Sequence, residues 1–70
     1  MTEVFQISLA AARVNARLSQ KDVADALKIS TQTIVSWENG KTSPSWENLE
    51  RLCKLYSINI DNLRLEQKSN

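Results

Sequence analysis

The segment from Leu18 to Gly40 constrains the fold of this chain more than any other, because it predicts two short helices joined by a very tight turn. Ser19 precedes Asp22 by three residues, which is the capping-box spacing at the start of a helix. Ser30 offers a second N-cap only eleven positions after Ser19. Gly40 then ends the second helix, since glycine tolerates the left-handed conformation of a helix cap.

The apolar residues of this segment recur at helical spacing. They are Val23, Ala24 and Leu27 in the first helix, and Ile34 and Trp37 in the second. Lys28 and Ile29 are left to make the turn. Both helices therefore present one apolar side to a common core.

Length and composition favour one small helical domain. The chain has 70 residues, of which 41% are hydrophobic, with one glycine and one proline. A single cysteine cannot form an internal disulfide, and no apolar run is long enough for a membrane span or follows a basic start as in a signal peptide. We expect a cytoplasmic protein with a domain over residues 1–65 and a tail over residues 66–70.

The whole chain predicts an all-α, compact domain of five helical segments without a strand pattern. Thr2 caps the predicted first helix, whose apolar face is Phe5, Leu9, Ala12 and Ala16. Either Pro44 at a first helical position or Ser45 as a cap opens the fourth helix. Its apolar stripe is Trp46, Leu49, Leu52, Cys53 and Tyr56. Asn59 caps a last short turn with Ile60 and Leu63.

The net charge is only +1, so the chain as a whole is not strongly basic. Arg17, Lys21 and Lys41 lie near predicted helix ends around the central segment. Taken alone, these charges are better explained as part of a solvated, mixed-charge surface.

Several features match a known family in type, order and spacing. They are Arg13, the LSQ run at Leu18 to Gln20, Ala24, Ile34, and the run WENGKTSPSWENLERL from Trp37 to Leu52. On these residues the chain resembles a Cro/cI-type, Xre-like helix-turn-helix domain, a lambda-repressor-like fold with the motif at helices 2 and 3. The resemblance implies a sequence-specific DNA-binding transcriptional regulator, a repressor of a phage, mobile element or bacterial host. It departs from the family at Lys28 and Ser57, where glycine is usual, and we expect both residues to be left-handed.

The outward face of the helix opened by Ser30 holds the candidate base readers. Because Ile34 and Trp37 face inward, the outward residues are Thr31, Gln32, Val35 and Ser36. The resemblance implies base contacts by Thr31, Gln32 and Ser36 with this helix in the major groove. Gln32 is the strongest candidate, because its amide can pair with adenine through two hydrogen bonds, and Val35 can meet a thymine methyl group. Without the flanking motif, these would be ordinary surface residues.

Phosphate contacts form a second group of candidates. Gln20 lies in the first turn of the helix capped by Ser19, where free amide groups can face a phosphate, and the matching family position does so. The others lie around the second helix and the loop after it: Thr33, Asn39, Lys41 and Thr42. Arg17 and Lys21 can add charge, although an exposed basic side chain is most often only solvated.

The resemblance also implies two structural contacts. Arg13 and Glu38 match a family pair that forms an ion pair between the first and third helices, which is a structural role and not a catalytic one. Family members of this size often dimerise through the last helix, here with Tyr56, Ile58, Ile60, Leu63 and Leu65 as candidates. Leu63 is better explained as a core residue. We expect a homodimer on a two-fold operator, with half-sites about 34 Å apart.

An enzyme is disfavoured, because the chain has no histidine, no glycine-rich phosphate loop and no metal-spaced set of ligands. Cys53 falls on an apolar stripe and is expected to be buried. We expect no cofactor, no metal and no small-molecule ligand. The alternative is an antitoxin-like or adaptor module whose main ligand is another protein. Against it, we expect residues 65–70 to be too few to wrap a partner.

Overall fold

Four α-helices and a small parallel sheet make up the fold. The computed structural model describes residues 6–65. The order of elements is β1 (Ile7–Ser8), α1 (Leu9–Asn15), α2 (Gln20–Leu27), α3 (Thr31–Asn39), α4 (Trp46–Tyr56), a single 3-10 turn (Ile60–Asn62) and β2 (Leu63–Arg64). β1 and β2 pair in parallel, with Ile7 opposite Leu63, and so join the two ends of the described chain.

The prediction of a mostly helical domain is confirmed, but the details at both ends are different. The fifth predicted helical segment is only the 3-10 turn, and the prediction of no strand is wrong. Each strand has two residues, which is too short for an alternating pattern to show in the sequence. The pairing joins residues more than fifty positions apart, so no local signal indicates it.

The first helix begins later than predicted. α1 starts at Leu9, because Ser8 is extended by its place in β1 and its hydroxyl accepts the Ala11 N–H at 3.1 Å. Ala16 is the C-terminal cap of α1 and not an interior residue. Thr2 and Phe5, predicted as cap and core, lie outside the described residues.

Serine caps the N-terminus of every α-helix in residues 6–65, through Ser8, Ser19, Ser30 and Ser45. For α4 this decides between the two predicted starts in favour of Ser45 as the cap, with Pro44 buried before it. Each such cap contributes about 1 kcal/mol relative to alanine. At α2 the full capping box between Ser19 and Asp22 is present, as predicted. The hydrogen bond from the Ser19 backbone lowers the pKa of Asp22.

Left-handed residues end three of the helices. Lys28 has φ 60°, Ser57 has φ 57° and Gly40 has φ 79°, so the three predicted left-handed caps are confirmed. Arg17, with φ 61°, is a fourth such residue that the sequence did not predict. It directly follows the cap of α1 and turns the chain toward α2.

The core lies between the four helices and β2. Its buried residues are Leu9, Ala12, Val23, Ala24, Leu27, Ile34, Trp37, Leu49, Leu52, Cys53, Tyr56 and Leu63. Cys53 and Leu63 are thus buried as expected. The prediction for Trp46 is wrong, because this residue is 65% exposed although it was placed on the apolar stripe of α4. It is the first residue of that helix, where the side chain lies at the edge of the core.

Candidate nucleic-acid interface

The tight turn between α2 and α3 fixes the direction in which α3 points. Only Lys28, Ile29 and Ser30 separate the two helices. The left-handed Lys28 reverses the chain, and the Ile29 N–H donates to the Ala24 carbonyl at 3.0 Å. α2 and α3 then pack directly on each other. In this geometry α3 projects from the domain and is held in place by α2.

The first turn of α3 is its most exposed part. Thr31 and Gln32 are exposed, whereas Val35 and Ser36 are half-buried one turn later. Among residues 6–65 the Gln32 amide has no hydrogen-bond partner, so its donor and acceptor both remain available. The Thr33 hydroxyl lies 2.9 Å from the Ser30 hydroxyl at the cap. The four predicted base readers therefore lie along one accessible strip of α3.

A polar cluster ties α1, α2 and α3 together. Arg13 Nε donates to Glu38 Oε2 at 2.8 Å, and Arg13 Nη2 donates to Glu38 Oε1 at 3.3 Å. Arg13 Nη1 also donates to the Leu18 carbonyl at 2.8 Å. The two side chains are only 15% and 7% exposed, respectively. The hydrogen bond to Glu38 raises the pKa of the Arg13 guanidinium.

Gln20 is a member of the same cluster, which sequence reasoning missed. Its Nε2 donates to Glu38 Oε1 at 3.0 Å. The contact joins residues eighteen positions apart and leaves no pattern in the sequence. It holds the Gln20 side chain in one orientation at the first turn of α2, where it was predicted to face a phosphate.

The remaining phosphate candidates lie in two groups. Asn39, Lys41 and Thr42 are exposed at its C-terminal end and in the following loop, where the Ser36 carbonyl accepts the Lys41 N–H at 2.9 Å. Arg17 is exposed before α2. Lys21 lies 3.0 Å from Asp25 in an exposed pair, which contributes little to stability and leaves the lysine accessible.

Arg51 is a second residue that sequence reasoning missed. Its Nη2 donates to the carbonyl of Leu27 at 3.0 Å, and its Nη1 donates to Asn48 Oδ1 at 3.3 Å. The contact joins α4 to the carbonyl end of α2, where a cation is favoured by the helix dipole. Arg51 therefore fixes the part of α2 from which the turn to α3 begins.

The candidate dimer residues are in different environments. Tyr56 is only 5% exposed and belongs to the core, and burial raises its pKa to about 12. Ile58, Ile60 and Leu65 are half-buried and pack against the edge of the core. Tyr56 thus has little surface left for a partner.

In the described part of the chain, no three cysteine, aspartate or glutamate residues are grouped to hold a metal ion. No helix in residues 6–65 has the length and apolar character needed to cross a membrane.

The fold and the exposed strip of α3 together define a helix-turn-helix domain. The chain belongs to the helix-turn-helix family, whose model matches residues 9–63. This confirms the resemblance to Cro/cI-type domains. The match covers all four α-helices and ends at the first residue of β2.

Two curated relatives have names that describe transcriptional regulators. The chain is 36% identical over 59 residues to "HTH-type transcriptional activator BcrR" of Enterococcus faecalis, covering 84% of this chain and 29% of that protein. It is 30% identical over 67 residues to "Cryptic phage CTXphi transcriptional repressor RstR" of Vibrio cholerae, covering 96% of this chain and 60% of that protein. The chain thus spans less than two thirds of either relative. No solved structure matches it significantly.

Proposed function

We propose that this chain is a sequence-specific, noncatalytic DNA-binding regulator of transcription, and that it acts as a repressor by occluding a promoter. The observation that carries the proposal is the free Gln32 amide on the exposed first turn of α3. An α-helix fits the major groove of B-DNA, where each base pair presents a distinct pattern of donors and acceptors. The family membership and the names of both relatives support a regulator of transcription, and the name of the Vibrio cholerae relative supports a repressor.

Base reading is assigned to the exposed strip of α3. The Gln32 amide pairs with adenine through its N7 and N6 positions, a contact worth about 1–3 kcal/mol of discrimination. Thr31 and Ser36 hydroxyls can bond several bases and so specify less. The Val35 side chain meets a thymine methyl group.

Phosphate binding is assigned to the residues on either side of α3. Gln20 uses the amide N–H that Glu38 does not hold, together with the free backbone N–H groups of the first turn of α2. The remaining contacts come from Thr33, Asn39, Lys41, Thr42, Arg17 and Lys21. These contacts fix the position of α3 without reading sequence.

A homodimer on a two-fold operator completes the proposal. One domain of this size reads few bases, and a two-fold pair doubles the site with half-sites about 34 Å apart. The surface offered to the second copy includes Ile58, Ile60 and Leu65, which lie at the edge of the core.

Selection of bound duplexes from a random DNA pool tests this function. Wild type and Gln32→Ala are selected in parallel at one moderate salt concentration, with Gln6→Ala as a control for an exposed glutamine outside α2 and α3. The expected result is a palindromic consensus that loses information at one position per half-site in Gln32→Ala only. Unselective recovery by all three proteins would contradict the proposal and favour a protein-binding module.

A further inference from the structure

Lys28 places an exposed cation at the turn between α2 and α3, and none of the contacts assigned above uses it. Its backbone is left-handed, with φ 60°, a conformation that costs a residue with a side chain free energy relative to glycine. Among residues 6–65 its ammonium group has no hydrogen-bond or ion-pair partner. The strained backbone at Lys28 is thus not offset by a polar contact of its side chain within the domain.

The charges around Lys28 are already engaged with other groups. Asp25, one turn earlier on α2, lies 3.0 Å from Lys21 in an exposed ion pair. At the carbonyl end of α2, Arg51 donates to the Leu27 carbonyl at 3.0 Å and supplies the cation that a helix C-terminus favours. A second cation one residue further along is not needed to stabilise that helix end. Helix stability therefore does not explain the charge of Lys28.

The other left-handed residues show that such a position does not itself require a cation. Ser57 ends α4 with φ 57°, and Gly40 ends α3 with φ 79°, both without a charge. Arg17, with φ 61°, is exposed two residues before the Ser19 cap of α2. The two basic members of this group therefore stand at the two ends of α2.

We propose that Lys28 binds a DNA phosphate beside the base pairs that α3 reads. Thr31, the first residue of α3, is only three residues further along the chain, a span of at most about 10 Å. The major groove is about 12 Å wide and has a row of phosphates on each side. With α3 in the groove, the long and flexible side chain of Lys28 can reach one of these phosphates. The inference rests on the proposed function, because it requires α3 to lie in the groove.

The size of the expected effect follows from the release of counterions. Each phosphate that a cation neutralises adds about 0.9 to the slope by which log affinity falls with log salt. One contact therefore raises affinity about eightfold at 0.1 M salt and about twofold at 0.4 M. A phosphate contact carries no sequence information, so it strengthens binding to all duplexes alike.

The chain offers a matched set of variants for the test. Lys28→Gln removes the charge and keeps a side chain at the left-handed cap, whereas Lys28→Arg keeps both. Lys28→Gly removes the charge and the backbone strain together. Ser57→Gly relieves the same strain at the end of α4, where no charge is lost. Lys54→Gln removes an exposed lysine of α4 and controls for the change in net charge.

Affinity for the selected duplex is measured for each protein between 0.1 M and 0.4 M salt, together with its unfolding in urea. Lys28→Gln and Lys28→Gly are expected to bind about eightfold more weakly at 0.1 M salt, with the slope reduced by about 0.9. Lys28→Arg, Lys54→Gln and Ser57→Gly are expected to keep the slope of wild type. Lys28→Gly should thus resist urea better than wild type and yet bind DNA less well, a combination that a purely structural role does not give.

The outcomes separate this inference from the proposed function. Equal slopes for wild type and Lys28→Gln, with base selection by Gln32 intact, would overturn the Lys28 contact and leave the proposed function standing. An equal loss of slope in Lys54→Gln would also overturn it, because net charge alone would then explain the effect. Failure of wild type to bind any duplex in a salt-dependent way would contradict both the proposed function and the contact.

Discussion

Breaking the cluster of Arg13 and Glu38 is predicted to cost far more than removing both charges together. The Glu38 carboxylate is 7% exposed and accepts three hydrogen bonds, two of which come from Arg13. Arg13→Met leaves this carboxylate with Gln20 alone, at a cost of about 3 kcal/mol. Glu38→Leu costs about 2 kcal/mol, because Arg13 keeps its bond to the Leu18 carbonyl and is more exposed.

The double variant Arg13→Met/Glu38→Leu is predicted to lose only about 2 kcal/mol, because no buried charge remains without its partner. The two single costs add to about 5 kcal/mol, so the coupling is about 3 kcal/mol. Total stability for a chain of this length is roughly 4–10 kcal/mol, which makes these losses large enough to measure.

Unfolding of the four proteins in urea, monitored by circular dichroism at low temperature, gives the free energies for the double-mutant cycle. Lys21→Met and Asp25→Ala form a matched cycle on the exposed pair, where the coupling should stay below about 1 kcal/mol. If the stability losses of the Arg13 and Glu38 single variants simply added in the double variant, as expected for the exposed pair, the conclusion that burial sets the cost would be refuted.

Three further predictions concern single residues. Lys28→Gly and Ser57→Gly should each stabilise the fold by about 1 kcal/mol in urea unfolding, because both residues are left-handed caps, and a loss in either would refute this. Tyr56 is the only tyrosine, so absorbance at 295 nm should show its phenol titrating near pH 12. The fold should lose stability as the pH rises from about 10 through that value, because the folded state favours the neutral phenol. A midpoint near pH 10 in the folded protein would contradict the burial of Tyr56. Cys53 is the only cysteine, and burial raises the pKa of its thiol. A thiol reagent should therefore label Cys53 only as fast as the fold opens. Labelling at the rate of a free thiol would contradict its place in the core.

The central part of the fold could be predicted from the sequence because its signals are local. Ser19, Ser30 and Gly40 lie at helix ends. The residues that indicate each end lie within three or four positions of it in the sequence. The left-handed Lys28 was predicted because the family places glycine there. At these positions local capping, helical spacing and tertiary packing agree.

The rest depended on contacts between residues far apart in the chain. The pairing of Ile7 with Leu63 changes where α1 begins, and no periodicity in two residues indicates it. The bond from Gln20 to Glu38 and the bond from Arg51 to the Leu27 carbonyl depend on how the helices cross. Helical spacing placed Trp46 on the apolar stripe, but spacing alone does not show where the core ends.

We propose that α3 reads bases while its neighbours hold phosphates, and these two roles differ in their dependence on salt. Affinity for the selected duplex is measured against salt concentration for wild type, Gln32→Ala and Lys41→Gln. Lys41→Gln should reduce the slope of log affinity against log salt by about 0.9 and weaken all sequences alike. Gln32→Ala should keep the slope and lose about 1–3 kcal/mol of discrimination at one base pair. Unchanged discrimination in Gln32→Ala, or an unchanged slope in Lys41→Gln, would contradict the assignment.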